Sequence, residues 1–517
     1  MNEPPAIARW SDGLGWRRRQ WLVALSGAVA AFGLSPFELW PMAWAGFTGI
    51  VLLVAVAATA KGAALTAWIG ATAYFAVALH WIMEPFFVDA ARHGWMAPFA
   101  LALLAGGLAL FWALAGWVAA RLVPGARPGL RLAALAGLLI LSEAARATVF
   151  TGFPWAHPGH ILIGSPLLAL APLAGPHGLT VIVLGLSAAI AAALVLRPLL
   201  ALGLAVLPVV AAVIAVAVVP VETETAPGAP IVRLIQPNAP QHLKWRADMV
   251  PVFFQRSLDL TAAAPLDGGP APDLIVWPET ALPVLLERSD EARLRISEAG
   301  GAAQVLLGGQ RFQGFGARNT AALLTPEGMI AQVYDKHHLV PFGEYMPGGP
   351  LAEALGLRGL AEVLGGGYAP GPGPELIDVG GALGQAFPMI CYEAIFPGYI
   401  RQVDRPDWIV HLTNDAWFGA FSGPFQHLAL ARLRAAEQGL PVLRAANTGV
   451  SAVIDGRGHV RASLRLNEAG FLDAALPVAL PPTIYARTGD IPLLVLVFLA
   501  TAACLLAARH ARPLRPA

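Results

Sequence analysis

Cys391 closes an apolar run of strand type, Phe387-Pro-Met-Ile-Cys391, and Glu393 follows two residues later. The chain holds two cysteines, and the other, Cys504, lies in a long apolar segment near the C-terminus. Cys391 is therefore the only thiol in the polar part of the chain, and a thiolate is the strongest side-chain nucleophile near neutral pH. A free cysteine is more often a buried packing residue, so the nucleophile reading needs partners. A base, an oxyanion-stabilising group and a shaped pocket would supply them.

Three other stretches offer candidates. Trp277-Pro278-Glu279-Thr280 follows a buried strand and puts a carboxylate at its end; a turn or helix-cap carboxylate reads the same way. Tyr334-Asp335-Lys336-His337-His338 leads, eight residues after the lysine, to Glu344. That spacing suits an ammonium held by a carboxylate, or a solvated loop. Adjacent histidines do not easily ligate one ion, and no zinc-type spacing accompanies them, so no metal is expected. His411-Leu-Thr-Asn414-Asp415-Ala-Trp417-Phe418-Gly419, with Gln426-His427 beyond it, reads as a pocket wall or as an Asx-turn.

These residues need an unusual framework. The chain is 56% hydrophobic and 13% charged, against about 25% charged in an ordinary soluble domain. Between Gln20 and Pro220 there are only eleven Asp, Glu, Lys and Arg, out of 34 basic and 33 acidic residues in all. Such a stretch cannot supply a polar surface and reads as a membrane bundle. A net charge of +1 excludes a nucleic-acid partner. A structural disulfide is not expected from two cysteines of which one is in an apolar span.

A bilayer crossing takes about 20 residues. Seven spans are expected at 20–36, 39–59, 62–83, 96–120, 129–149, 166–196 and 199–220, and an eighth at 491–508. Arg9, Arg17, Arg18 and Arg19 precede the first, which lacks a signal-peptide cleavage site and is read as retained. With the N-terminus cytoplasmic, Lys61, Arg121, Arg127, Arg131, Arg197, Arg509, Arg512 and Arg515 all fall inside, and Arg92 is the exception outside. The polar block is then non-cytoplasmic. Glu143 and Arg146, three residues apart on the fifth span, share a helix face. Charges at that depth form a structural ion pair or mark a substrate path.

The block from 221 to 485 alternates short apolar runs with turns. Residues 231–236, 273–277, 304–308 and 408–412 read as buried strands. Hairpins are expected about 326–328 and 455–458, and a helix over 425–439 with Gly439 as its C-cap. Strands mixed with helices indicate an α/β or α+β domain. The expected organisation is a bundle over 1–220, a catalytic domain over 221–485, and a last span and tail over 486–517.

A Glu in W-P-E, a Lys after a hairpin strand and a Cys in C-Y-E, in that order, resemble the Glu-Lys-Cys triad of the nitrilase (carbon–nitrogen hydrolase) superfamily. With the spans, with Ile235 to Trp245 (IQPNAPQHLKW), VPFGEYMP and TNDAWFG, the chain resembles the bacterial apolipoprotein N-acyltransferase family. The resemblance implies an αββα sandwich inserted in an integral membrane α-helical bundle. It implies transfer of an acyl chain from a phospholipid to the α-amino group of a diacylglyceryl-apolipoprotein, through a thioester. Cys391 would be the nucleophile, Glu279 the base and Lys336 the oxyanion group. Glu344 and Glu393 would be supporting carboxylates, and Trp245 and Tyr392 pocket residues. Asn414, Trp417, Phe418, Phe421, Glu143 and Arg146 are further candidates for the substrate pocket and acyl path. The expected setting is the bacterial inner membrane, with the catalytic domain periplasmic and the protein a monomer without cofactor. A membrane-anchored amidase using the same triad is the alternative, although a tether needs one span and not eight. A non-catalytic transporter or scaffold would make the Glu-Lys-Cys order an accident.

Overall fold

The computed structural model describes residues 15–125, 127–218, 226–313, 316–348 and 367–510. Arg9, Arg512 and Arg515, used in the charge argument, lie outside the described residues. The chain divides into two compact units: Met1–Val221 with Thr483–Ala517, and Glu222–Pro482.

The first unit is helical. Its helices are α1 (Trp16–Ala31), α2 (Trp40–Ala55), α3 (Ala60–Ala78), α4 (Ala97–Leu122), α5 (Pro128–Arg146), α6 (Ala171–Leu196), α7 (Pro198–Val218) and a C-terminal helix, Ile491–His510. Among the described residues a helix stands at each of the eight expected spans, but their lengths do not confirm the count of eight. Among the described residues, five stretches are long and apolar enough to cross a bilayer: Ala90–Leu122, Pro128–Arg146, Pro166–Leu196, Leu199–Val218 and Ile491–His510. A sixth appears if α3 and the short helix His80–Phe87, bent by 48°, form one span. The helices α1 and α2 have 16 residues each, or roughly 24 Å at about 1.5 Å per residue, short of a hydrocarbon core of about 30 Å. The apolar run of the sequence continues past their ends, but the backbone does not. Between them, Pro36 removes a donor and Glu38 takes a positive φ of 54°, its carboxylate accepting from Ser35 Oγ at 2.8 Å. The sixth expected span is also broken, at Gly175-Pro176, where Gly175 leaves helical geometry.

Among the described residues the second unit has twelve strands: β1 (Ile231–Gln236), β2 (Leu274–Val276), β3 (Gln304–Gln313), β4 (Gly316–Leu324), β5 (Ile330–Asp335), β6 (Ile377–Gly380), β7 (Gly384–Ile390), β8 (Trp408–Thr413), β9 (Val442–Ala446), β10 (Ala452–Ile454), β11 (Val460–Ser463) and β12 (Gly470–Ala475). They form two six-stranded sheets, β12-β1-β2-β3-β4-β5 and β11-β10-β9-β8-β7-β6. The centre of each is parallel, β1-β2-β3 in one and β7-β8-β9 in the other. Parallel neighbours need crossovers; the helices α8 (Val250–Ala262), α9 (Asp290–Gly300) and α10 (Gly423–Gln438) supply three of the four, and the 3₁₀ turns Cys391–Ile395 and Tyr399–Gln402 lie in the fourth, from β7 to β8.

Strand periodicity builds the layers. Val232, Leu234, Leu274, Val276 and Leu306 point one way and pack against Ile390, Trp408, Val410, Leu412 and Leu443 of the other sheet. Ile235, Ile275, Val305 and Leu307 point the other way, to Phe254, Leu258 and Ile296 of α8 and α9. Phe387, Met389 and Ile409 face Ala431 and Ala435 of α10. The result is an αββα sandwich. Strands covered on both faces are apolar throughout, which is why they read as short continuous runs. The expected hairpins join β4 to β5 and β10 to β11. The helix α10 ends at Gly439 in the left-handed region, φ 69°.

Candidate active site

Every triad candidate sits just beyond a strand end. Glu279 follows β2, Lys336 follows β5 and Cys391 follows β7. Ends of parallel strands are where open α/β sheets place their chemistry, because the chain leaves the sheet there and side chains escape the two-sided packing.

Glu279 is buried. Its Oε1 accepts from Asn319 Nδ2 at 2.6 Å, and its Oε2 from the backbone N–H of Asn414 at 2.9 Å. Gly308 makes room for the turn, since a Cβ there would fall 2.6 Å from the Glu279 Cα. Lys244, also buried, donates to the Glu279 carbonyl at 3.2 Å and to Thr280 Oγ1 at 2.8 Å. That pins Thr280 at φ 48°, a conformation a β-branched residue rarely adopts. Burial lowers the Lys244 pKa to about 8, against the attraction of Glu279.

Lys336 is buried, and its Nζ donates to Glu344 Oε1 at 2.8 Å and lies 3.8 Å from Glu279 Oε1. Burial alone would lower its pKa, but Glu344, Glu279 and Cys391 outweigh it and hold the ammonium charged. Glu344 is fixed in turn by the Val340 N–H, 2.8 Å from Oε2. The Glu279 pKa is raised, first by burial and then by Glu344, with Lys336 and Asn319 opposing.

Cys391 is buried at φ 50°, a backbone strain of about 1–3 kcal/mol for a non-glycine residue. Its thiol meets the Thr413 side chain, and burial followed by the Glu279 charge raises its pKa, with Lys336 opposing. The resting group is a thiol. Lys336 favours the thiolate, but desolvation and the carboxylate exceed the single ammonium.

Glu393 joins the two loops. Its Oε1 accepts from Tyr334 Oη (2.8 Å) and from the N–H groups of His337 (2.9 Å) and His338 (3.2 Å), and its Oε2 from the N–H of Ile390 at 2.8 Å. Burial would raise its pKa, but the His337 contacts and these donors bring it down. Tyr392 is buried, 5.2 Å ring to ring from Phe396 and 5.5 Å from His338. Trp245 is 46% exposed, with Lys244 Nζ 5.4 Å from its ring centre; it lines a small cavity with Lys244, Phe253, Thr280 and Asn447. Asn414 bridges Gln241 and Asn447, at 2.8 Å each. Trp417 is half-buried, Phe418 packs on the inter-sheet core and Phe421 is 55% exposed.

Glu143 and Arg146 belong to the first unit and form a buried pair at 2.5 Å. Glu143 also accepts from Trp112 Nε1 at 2.7 Å and meets His157 Nδ1 at 2.7 Å, while Arg146 donates to the carbonyls of Phe153 and Trp155. These partners lie within the helical unit and satisfy both charges there.

Sequence inspection passed over Asn319, Lys244, Thr413 and Arg444. Asn319 sits mid-strand in β4, opposite Gln310, with no turn or motif to mark it. Lys244 could have been suspected, since it lies one residue before Trp245 in a stretch that already carried the resemblance.

Two family models match the chain: the apolipoprotein N-acyltransferase N-terminal domain over residues 26–189 and carbon–nitrogen hydrolase over residues 232–481. The chain is 39% identical to an apolipoprotein N-acyltransferase of Bradyrhizobium diazoefficiens, covering 94% of each chain. It is 38% identical to one of Rhodopseudomonas palustris, over 96% of this chain and 97% of the relative. A solved amidase from Nesterenkonia sp. aligns with 52% of this chain and 97% of its own, at 20% identity and a TM-score of 0.35. With relatives of that identity along nearly its whole length, the chain belongs to the apolipoprotein N-acyltransferase family.

Proposed function

We propose that this protein moves an acyl chain from a phospholipid to the α-amino group of the N-terminal diacylglyceryl-cysteine of apolipoproteins, by way of a thioester on Cys391. The observation that carries the reading is the convergence of three buried groups, Glu279, Lys336 and the Cys391 thiol, near enough to feel one another's charge, in a chain that also has helices long enough to cross a membrane.

The thiol proton passes to Glu279 as Sγ attacks the ester carbonyl carbon. Negative charge forms on the carbonyl oxygen, and the Lys336 ammonium stabilises it. The intermediate collapses by breaking the carbon–oxygen bond of the ester. Glu279 returns its proton to the departing alkoxide, and a lysophospholipid leaves. The lipoprotein amine then attacks the thioester, Glu279 accepts a proton from nitrogen, and Cys391 Sγ leaves and is reprotonated. Two moderate steps replace one difficult transfer, with ping-pong kinetics. The raised pKa of Glu279 suits a group that must both take and return a proton. Glu344 and Glu393 hold the lysine and cysteine loops, and Trp245, Tyr392, Asn414, Trp417 and Phe418 are assigned to the pocket around the substrates. The Lys/Arg pattern supports a bacterial inner-membrane protein with its second unit on the periplasmic side.

The test uses full-length protein in detergent with phospholipid and a diacylglyceryl peptide. Wild type is expected to release lysophospholipid and acylate the peptide, and without the peptide to gain one acyl mass on Cys391. The Cys391→Ala variant is expected to fold and do neither. Acyl transfer by that variant would sink the assignment. Release of fatty acid with no peptide acylation would favour the hydrolase alternative.

A further inference from the structure

The carbonyl oxygen of Cys391 faces two buried histidines. His411, on β8, and His427, on α10, each place Nε2 3.2 Å from it, and their rings meet edge to face at 4.8 Å. Neither ring is left to choose its orientation. Arg444, on β9, donates from Nη1 to His411 Nδ1 at 2.7 Å. The single proton of a neutral His411 is thereby on Nε2, where the carbonyl accepts it. Asp415 lies 2.9 Å from His427 Nδ1 and accepts from Thr413 Oγ1 at 2.9 Å and Arg444 Nη2 at 2.5 Å. His411, Asp415, His427 and Arg444 are all completely buried. Burying that much charge and polarity costs free energy, and the group on which both rings converge is the Cys391 peptide.

We propose that His411 is a positioning residue for the nucleophile: it locks the Cys391–Tyr392 peptide plane, with Arg444 setting its tautomer and His427, held by Asp415, packed edge to face against its ring. The proposal rests on Cys391 being the nucleophile. Cys391 holds a left-handed backbone that its side chain disfavours. The His411 Nε2–H donor on its oxygen opposes relaxation, because rotating the peptide would leave a buried carbonyl unpaired. The peptide is planar, so fixing its oxygen also fixes the Tyr392 N–H direction. It further fixes where Sγ stands relative to Glu279 and Lys336.

Asparagine and glutamine variants separate this role from bulk stability. Asparagine sets its amide near the position of Nδ1 and stops short of the Cys391 oxygen. Glutamine reaches the position of Nε2 and can donate there. His411→Asn is expected to lower kcat about 100-fold, the scale of a 1 Å misplacement, with KM for phospholipid within about threefold. His411→Gln is expected to return kcat to within about tenfold of wild type. Alkylation of Cys391 by iodoacetamide, read by peptide mass so that Cys504 is separated, is expected to fall in that order too. Folded asparagine and glutamine variants with equal kcat and equal alkylation would overturn the proposal. So would loss of folding in both, which would assign the network to stability. A wild type that is alkylated yet transfers no acyl chain would sink the acyltransferase reading alone, since the alkylation order would still decide this one.

Discussion

Lys336 Nζ stands 3.8 Å from Glu279 Oε1, beyond hydrogen-bond reach, while it donates to Glu344 at 2.8 Å. The ammonium is thus anchored by one carboxylate and only biased by the other. A direct bond to Lys336 would pull the Glu279 pKa down and spoil it as a proton acceptor. At this separation burial and Glu344 prevail, and the pKa is raised. The lysine stays charged beside it, so a carboxylate able to take a proton and a fixed positive charge stand side by side.

The first expectation concerns pH. Glu279 accepts a proton only when ionised, so kcat/KM is expected to rise with pH through an acid limb above the ordinary glutamate value of 4.5. Asn319 stabilises the ionised form, so Asn319→Leu is expected to shift that limb further up. A pH–rate profile of both proteins measures it; a limb that stays in place in the variant would remove Glu279 from the role of base.

Lys336→Met keeps the volume and removes the charge. It is expected to lower kcat about 10²- to 10³-fold, the usual range for one lost oxyanion donor, with a much smaller change in KM. Steady-state kinetics at saturating phospholipid distinguish this from lost binding, which would appear in KM first.

Glu393 accepts from four groups on two loops. A glutamine there cannot accept as many, and the loss is expected to be about 2–4 kcal/mol at neutral pH, given roughly 1–3 kcal/mol per unsatisfied buried group. The folded carboxyl is depressed, so its contribution is present above the unfolded value near 4.5 and disappears as pH falls through the folded pKa. Melting temperature against pH is expected to show the gap between wild type and Glu393→Gln narrowing on acidification. A constant gap would mean that the carboxylate charge is not what holds the loops.

The charge pattern predicts sidedness. Single cysteines placed at exposed positions of the second unit, such as Arg246 or Glu298, are expected to react with an impermeant thiol reagent only from the non-cytoplasmic side of sealed vesicles. Labelling from the cytoplasmic side would overturn the orientation.

The sequence by itself determined the polar–apolar division, the buried strands, both hairpins and the helix ending at Gly439. These are local matters of composition, period and turn chemistry, and they survive any tertiary arrangement. Glu279, Lys336 and Cys391 were legible for a related reason: each follows a strand, where a polar residue after an apolar run stands out. Tertiary structure decided the rest. The helices α1 and α2 stop short although their apolar runs continue, because composition cannot measure where a backbone turns. Cys391 is a thiol at rest because burial and Glu279 together outweigh Lys336, and that balance depends on depth and distance. Asn319 and Arg444 reach Glu279 and His411 only through the sheets, 40 and 33 positions away in the chain. A side chain in the middle of a strand gives no sign in its own neighbourhood of which buried charge it will meet across a sheet.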